Sequence, residues 1–145
     1  MRIFLAIGFV IVFASIFLFL YLMGQKQEAV VSFNGVSFEV EIVETKSDRI
    51  RGLSGKREID DSQGLILKFD REDFHGIWMR NMLFDIDIIW LSSDLIVVDI
   101  KEEASKKSYP ETFYPQEKAL YVLEINAGLA QEKGIVVGSK AEMGR

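Results

Sequence analysis

The sequence predicts a mostly β fold: an antiparallel β-sandwich or barrel-like single domain with two short helices, preceded by one N-terminal transmembrane helix. Three observations lead to this prediction. The pair Asn34-Gly35 separates two apolar runs rich in β-branched residues. About six to eight short apolar runs alternate with turn residues along the rest of the chain, which is typical of antiparallel β domains. An uncharged apolar run precedes all of them, from Ile3 to Met23.

The N-terminal run is long enough to cross a bilayer. As a helix its 21 residues would span roughly 31 Å, close to the thickness of the hydrocarbon core. Fifteen of them are Ile, Leu, Phe or Val, which together favour insertion by about 6 kcal/mol. We expect residues 1–24 to be an uncleaved anchor. The alternatives are a cleaved signal, although the run is long for a signal and Tyr21 to Gly24 is a poor cleavage site, and a buried core helix.

The remaining chain is predicted to be a tether, residues 25–28, and one domain, residues 29–143. An apolar run at the amino end favours a cytoplasmic N-terminus, so we expect a single-pass membrane protein with an extracytoplasmic C-terminal domain. The net charge is -5, and the part after Gly24 carries about -6 because Arg2 is the only charge before it. This acidity argues against nucleic acid as a partner and against a polybasic grip on lipid.

The first elements of the domain follow from local patterns. Asn34-Gly35 predicts a hairpin turn whose two central residues have positive φ. Apolar residues then alternate with polar ones from Val36 to Ile42, as on a half-buried strand. Thr45-Lys46-Ser47-Asp48 resembles a capping box, which predicts a short helix that ends at Gly52.

The later elements are predicted in the same way. Strands are expected over residues 64–69, 76–80, 85–91, 95–100 and 119–125, with a last short strand at 139–143. Asn126 is expected to cap a second helix that ends at Gly134. Between residues 101 and 118 the pattern breaks, and Tyr109 and Tyr114 each precede a proline. This stretch is either a solvated loop or a lid whose aromatic residues contact a ligand or partner.

Few reactive side chains are available for catalysis. The chain has no cysteine and one histidine, His75, so neither a zinc site of the usual kind nor a cysteine nucleophile is expected. No phosphate-binding glycine loop, dinucleotide fingerprint or nucleophile elbow is present, and no cofactor is predicted. His75 is left as a loop or strand-edge residue, a binding contact or an acid–base group.

Asp85 and Asp87 are the best polar pair. Two residues apart on a strand, they would share one face with their Cα atoms roughly 7 Å apart. This spacing fits a calcium or magnesium site, an acid–base pair, or simply a solvated strand face. Arg80 and Asn81 could join Asp87 in a cluster that fixes a turn or binds a ligand. Trp78 is either a core residue or a stacking platform.

Several motifs, in order, resemble the widespread prokaryotic family known as domain of unknown function 192. They are Gly52-Leu53-Ser54-Gly55-Lys56, Gly64-Leu65-Ile66-Leu67, Trp78-Met79-Arg80-Asn81, Asp85-Ile86-Asp87-Ile88, Tyr121-Val122-Leu123-Glu124 and Ala127-Gly128. Met82 and Asp85 stand where the family pattern has Thr and Pro. The resemblance implies a compact, largely β fold of the sandwich kind, often exported, and implies no established activity.

The sequence favours a noncatalytic binding module at the cell envelope, whose partner is a glycan, a peptide or a membrane protein. Its candidate ligand-binding residues are His75, Trp78, Arg80, Asn81, Asp85, Asp87, Tyr109 and Tyr114. One alternative is a hydrolase of an envelope component that uses Asp85 and Asp87 with His75 or Arg80. The other is a structural subunit of a membrane complex.

Overall fold

The computed structural model describes residues 15–17 and 27–144, and residues 15–17 are helical. The expected anchor and tether, residues 1–28, therefore lie almost entirely outside the described residues. Within the described ranges, no helix is long and apolar enough to cross a membrane. From Gln27 onward the chain forms one mostly β domain with two short helices.

The elements of this domain are numbered in chain order. They are β1 (Gln27–Phe33), β2 (Val36–Val43), α1 (Lys46–Arg51), β3 (Gln63–Asp73), β4 (Ile77–Trp78), β5 (Ile86–Leu91), β6 (Val97–Ala104), β7 (Thr112–Phe113), β8 (Ala119–Asn126), α2 (Leu129–Glu132) and β9 (Glu142–Gly144).

Seven strands form one sheet in the order β6-β5-β8-β3-β2-β1-β9, and β4 and β7 form a small separate sheet. The two edges of the large sheet meet through the segment before β9. Ile96 pairs with Lys140, the Val97 amide donates to the Ser139 carbonyl at 2.8 Å, and the Gly138 amide donates to the Val97 carbonyl at 2.8 Å. The sheet thereby curls into a barrel-like shape.

The prediction of an antiparallel fold is wrong at one pair of strands. β2 and β3 run parallel, with Val40 opposite Gly64 and Ile42 opposite Ile66, so the sheet is mixed. A parallel pair requires a crossover connection. The segment between Val43 and Gln63 provides it, carrying α1 across the outer face of the sheet before β3 begins.

Two local predictions are confirmed. Asn34 and Gly35 have φ of 48° and 87°, and Phe33 pairs with Val36 across this turn. The hydroxyl of Thr45 accepts a hydrogen bond from the Asp48 amide at 3.1 Å, so Thr45 caps α1 as expected.

Two other local predictions are wrong. Asn126 does not cap the second helix, because Gly128 occupies the N-cap position of α2. The Asn126 side chain instead donates to the Ile59 carbonyl at 2.9 Å and to the Asp61 carboxylate at 2.7 Å. Residues 101–118 are also not one loop, since β6 continues to Ala104 and β7 pairs with β4.

The apolar side chains form two cores, one on each face of the sheet. The inner core fills the barrel and includes Val31, Phe33, Phe38, Ile66, Ile89 and Leu123. The outer core lies against the opposite face of β3, β5 and β8, and includes Leu53, Leu67, Met79, Ile86, Trp90 and Val122. The central strands are therefore buried on both faces, and the outer layer can enclose a site.

Candidate functional site

A cavity of about 290 Å³ lies between α1, the outer face of the sheet and the segment that contains β4. Apolar side chains form much of its wall, among them Leu53, Leu67, Phe69, Ile77, Trp78 and Ile86. Its charged lining residues are Lys46, Arg49, Arg51 and Glu124. A concave, largely apolar space with a few polar groups is the usual form of a small-molecule site.

Glu124 is the most unusual residue of this cavity. Along β8 the side chains of Leu123 and Ile125 point into the inner core, so Glu124 points to the outer face of the sheet. Its side chain is buried, with 4% exposed, and among the described residues its Oε2 atom has no hydrogen-bond partner. Burial raises the pKa of Glu124 to about 7. A ligand that donated a hydrogen bond would therefore satisfy a group that the protein leaves unsatisfied.

The two arginines of α1 have partners within the protein. Arg49 donates to the carbonyls of Glu44 and, at 2.9 Å, Lys68, and its guanidinium lies 4.9 Å from the centre of the Phe69 ring. Arg51 pairs with Asp48 at 2.7 Å. The Arg49 contacts fix α1 against β3, and α1 thereby forms one wall of the cavity.

Gly52 ends α1 beside the carboxylate. Its φ of 50° and ψ of -132° lie in a region that only glycine occupies without strain. A Cβ atom at this position would lie 3.5 Å from the Glu124 Oε2. The turn therefore brings backbone, rather than a side chain, next to the buried carboxyl.

Trp78 lies at the cavity wall and Arg80 packs against it. Trp78 lines the cavity and is 40% exposed, and the Arg80 guanidinium lies 5.0 Å from its ring centre. Tyr114 packs nearby, because a Cβ on Gly76 would lie only 2.5 Å from the Tyr114 Cε1 atom. Only glycine at position 76 allows the tyrosine ring to lie against this wall.

His75 supports the wall without lining it. Its ring stacks on Phe69 with centroids 3.5 Å apart and planes at 8°, and its Nε2 is 2.9 Å from the Arg71 carbonyl. The His75 carbonyl accepts a hydrogen bond from the Trp90 indole at 2.8 Å. The histidine therefore contacts the candidate site through Phe69.

Asp87 and Asp85 do not form a shared polar face. Asp87 is fully buried and accepts hydrogen bonds from the amides of Glu103 at 2.8 Å, Gly128 at 3.1 Å and Ala130 at 2.8 Å. Asp85 is exposed, precedes β5 and accepts from the Lys106 amide at 2.8 Å. The interpretation of this strand face as solvated is wrong at Asp87, because residues of the same face pack in the inner core.

Asn81 and Tyr109 lie apart from Asp87. Asn81 is exposed with φ of 57°, and its carbonyl accepts a hydrogen bond from the Gly55 amide at 3.0 Å. Tyr109 is 49% exposed, in the loop between β6 and β7. No hydrogen bond between described residues joins Arg80 or Asn81 to Asp87, so the expected three-residue cluster is not formed by these contacts.

The rest of the described domain offers weaker candidates for a metal or ligand site. Within residues 15–17 and 27–144, no group of three or more potential metal-ligating side chains comes together. A second depression, of about 480 Å³, lies beside β1 and β2, but its lining residues Glu28 and Glu39 are exposed to solvent. The cavity at Glu124 is therefore the stronger candidate for a binding site.

Glu124 was missed as a site residue in the sequence, although two signals pointed to it. It is the one charge within the apolar run from Ala119 to Ile125, a run predicted to be a strand. It also lies in one of the motifs of the family resemblance. A charged residue in a strand buried on both faces needs a partner or a function.

Fold and site together define a small, mixed β-barrel-like domain with one apolar cavity that contains a buried carboxyl. The family model of DUF192, described as "Uncharacterized ACR", matches residues 29–143. The chain belongs to this family. No match was found among curated proteins.

Two solved structures are similar to this chain. One is a protein of unknown function from Novosphingobium aromaticivorans DSM 12444, 31% identical, with a TM-score of 0.74 over 81% of this chain and 85% of that one. The other is a proposed transcription regulator from Sinorhizobium meliloti 1021, 25% identical, with a TM-score of 0.75 over 82% of this chain and 94% of that one.

Proposed function

We propose that this protein is a noncatalytic binding module of the cell envelope, anchored by residues 3–23, which holds a small molecule or one group of a larger ligand in the cavity at Glu124. The observation that carries the proposal is the buried Oε2 of Glu124, which lacks a partner among the described residues and lines an apolar cavity. Leaving a buried acceptor unsatisfied destabilises a fold. A ligand that donates a hydrogen bond to this oxygen would remove the cost of leaving it unsatisfied.

Other functions have less support. A hydrolase that used Asp85 and Asp87 would need two free carboxylates close together, whereas each accepts hydrogen bonds from backbone amides of other segments. Transcription regulation, proposed for the similar Sinorhizobium meliloti protein, would require DNA binding or a DNA-binding partner. The net charge of -5 argues against direct DNA binding.

A thermal-shift screen of the full-length protein tests the proposal, with glycans, short peptides and small metabolites as probes. A ligand at about 100 times its dissociation constant adds about 2.7 kcal/mol of stability, which moves the melting temperature by several degrees. We expect Trp78→Ala to abolish such a shift. Phe74→Ala is the matched control, since Phe74 is also an exposed aromatic residue, at 48%, and does not line the cavity.

The variants separate a cavity ligand from binding elsewhere. A probe that stabilises wild type and Phe74→Ala but not Trp78→Ala supports binding in the cavity. Probes that stabilise all three proteins equally would place the binding site outside the cavity and contradict the proposal. Stabilisation lost in Phe74→Ala as well would also contradict it, because the effect would no longer be specific to the cavity.

A further inference from the structure

The charged residues that line the cavity differ in depth: the acidic residue is buried, and two of the basic residues are exposed. Glu124 is the inner charge, because its side chain is 4% exposed. Lys46 and Arg51 lie in exposed positions of α1 and mark the mouth. Leu67, Phe69 and Trp78 line the cavity as well and make its wall largely apolar.

We propose that the ligand of this cavity is zwitterionic: an ammonium group enters first and binds the Glu124 carboxylate, an apolar body lies along the wall, and an acidic group remains at the mouth beside Lys46. This inference rests on the proposed function and gives the chemical class of its ligand.

The inner half of the proposal follows from Glu124 and its surroundings. An ionised carboxylate in an apolar space is stabilised by an opposite charge that also donates a hydrogen bond. Arg49 also lines the cavity, but its guanidinium donates to the carbonyls of Glu44 and Lys68 and lies 3.8 Å from Asp70. An ammonium group of a ligand would supply the partner that Arg49 does not provide.

The outer half follows from the charges at the mouth. Of the basic lining residues, Arg51 pairs with Asp48 at 2.7 Å and Arg49 lies 3.8 Å from Asp70, so Lys46 is the rim cation that a ligand would meet. Among the described residues, Glu124 is the acidic one that lines the cavity. An acidic group on the outer end of a ligand would be attracted to Lys46. The domain is acidic as a whole, so this basic rim is a local feature.

Proton release provides a readout that a structural role of Glu124 would not produce. Burial raises the pKa of Glu124 to about 7, and the charges that line the same cavity are Lys46, Arg49 and Arg51. An ammonium bound to the carboxylate would favour its ionised form. Binding below pH 7 should therefore release up to one proton, and binding well above pH 7 should release almost none.

The test is isothermal titration of the full-length protein with three probes of matched length: ε-aminocaproate, n-hexylamine and caproate. We expect the amino acid to bind most tightly and the acid most weakly. Glu124→Gln should weaken binding of the two amines about tenfold or more and abolish proton release, which titrations in buffers of different ionisation enthalpy measure. Lys46→Ala should weaken the amino acid about threefold and leave the amine unchanged or tighter.

Lys107→Ala is the control for Lys46→Ala, since Lys107 is exposed in the loop after β6 and does not line the cavity. The inference is overturned if caproate binds as tightly as ε-aminocaproate, if Glu124→Gln leaves amine binding intact, or if none of the three probes binds. In each case a Trp78-dependent ligand from the thermal-shift screen would leave the proposed function standing. If, in addition, no ligand from the thermal-shift screen depended on Trp78, both the inference and the proposed function would be contradicted.

Discussion

The two buried carboxyl residues, Asp87 and Glu124, differ in their hydrogen bonding. They lie on neighbouring strands but on opposite faces of the sheet, and the protein supplies hydrogen-bond donors to them unequally. Asp87 accepts hydrogen bonds from three backbone amides, whereas Oε2 of Glu124 has no partner among the described residues. The first arrangement stabilises the fold and the second destabilises it, so Glu124 is the better candidate for a role in binding.

The raised pKa of Glu124 predicts a pH-dependent stability. Between the usual value of 4.5 and the folded value of about 7, the folded state keeps a proton that the unfolded state has lost. Stability therefore falls as pH rises through this range, by at most about 3 kcal/mol from this group. Glu124→Gln removes the ionisable group and should become more stable relative to wild type as pH rises.

Urea unfolding of both proteins at about pH 5 and about pH 8 measures the effect, because the difference between them isolates one group. Glu111→Gln is the control, since Glu111 is exposed in the loop before β7, and its stability relative to wild type should not change between the two pH values. A constant difference between Glu124→Gln and wild type would contradict the prediction.

At the scale of elements, Asp87 joins three parts of the chain. It lies on β5 opposite a bulge in β6, where Ile86 pairs with Ala104 but Ile88 pairs with Lys101. Glu103, within this bulge, has φ of 48° and directs its amide to the Asp87 carboxylate. The same carboxylate receives two amides at the start of α2, where Gly128 has no side chain to cap the helix.

Asp87→Ala should therefore destabilise the domain by about 1 to 3 kcal/mol, because buried amides lose their hydrogen-bond acceptor. Asp85→Ala is the matched control: it removes one hydrogen bond at an exposed carboxylate and should cost less than about 1 kcal/mol. Urea unfolding at neutral pH compares the two. Equal losses of stability would show that the contacts of Asp87 do not hold these elements together.

The elements differ in how well local pattern predicted them. The β1–β2 hairpin and the cap of α1 each depend on residues within four positions of one another, so they were predicted correctly. The extent of β6 and the pairing of β7 with β4 depend on partners far along the chain. The local sequence pattern therefore predicted a loop over residues 101–118, because it does not reveal strand partners that lie far along the chain.

For the whole molecule, the prediction to test is that the domain is anchored in a membrane. The sequence predicts an anchor at residues 3–23, which lie mostly outside the described residues. We expect the full chain to stay in the membrane pellet after alkaline carbonate extraction, and a chain that starts at Gln27 to be released. Protease added to intact spheroplasts should digest the domain if it is extracytoplasmic.

Intact mass measurement of the purified protein separates an anchor from a cleaved signal. An unchanged mass with retention in the pellet supports the anchor. A mass that lacks the first 20 or so residues, or release of the full chain by carbonate, would contradict it, since a cleaved signal leaves no transmembrane segment.

The sequence by itself determined the β-rich class, the family resemblance, the first hairpin and the cap of α1. Its prediction of Trp78 and Arg80 as site residues stays a prediction. These features depend on alternation, turn chemistry and short motifs, which act over a few neighbouring residues.

Only the tertiary structure decided the parallel pairing of β2 with β3, the burial of Asp87 and the placement of Glu124 at a cavity. Each depends on which segment covers a given face of the sheet. A strand pattern shows that two faces differ, but the crossover that carries α1 decides that the outer face is enclosed. The same Glu on an uncovered strand would be a solvated surface residue, and under α1 it becomes a buried carboxyl with room for a ligand.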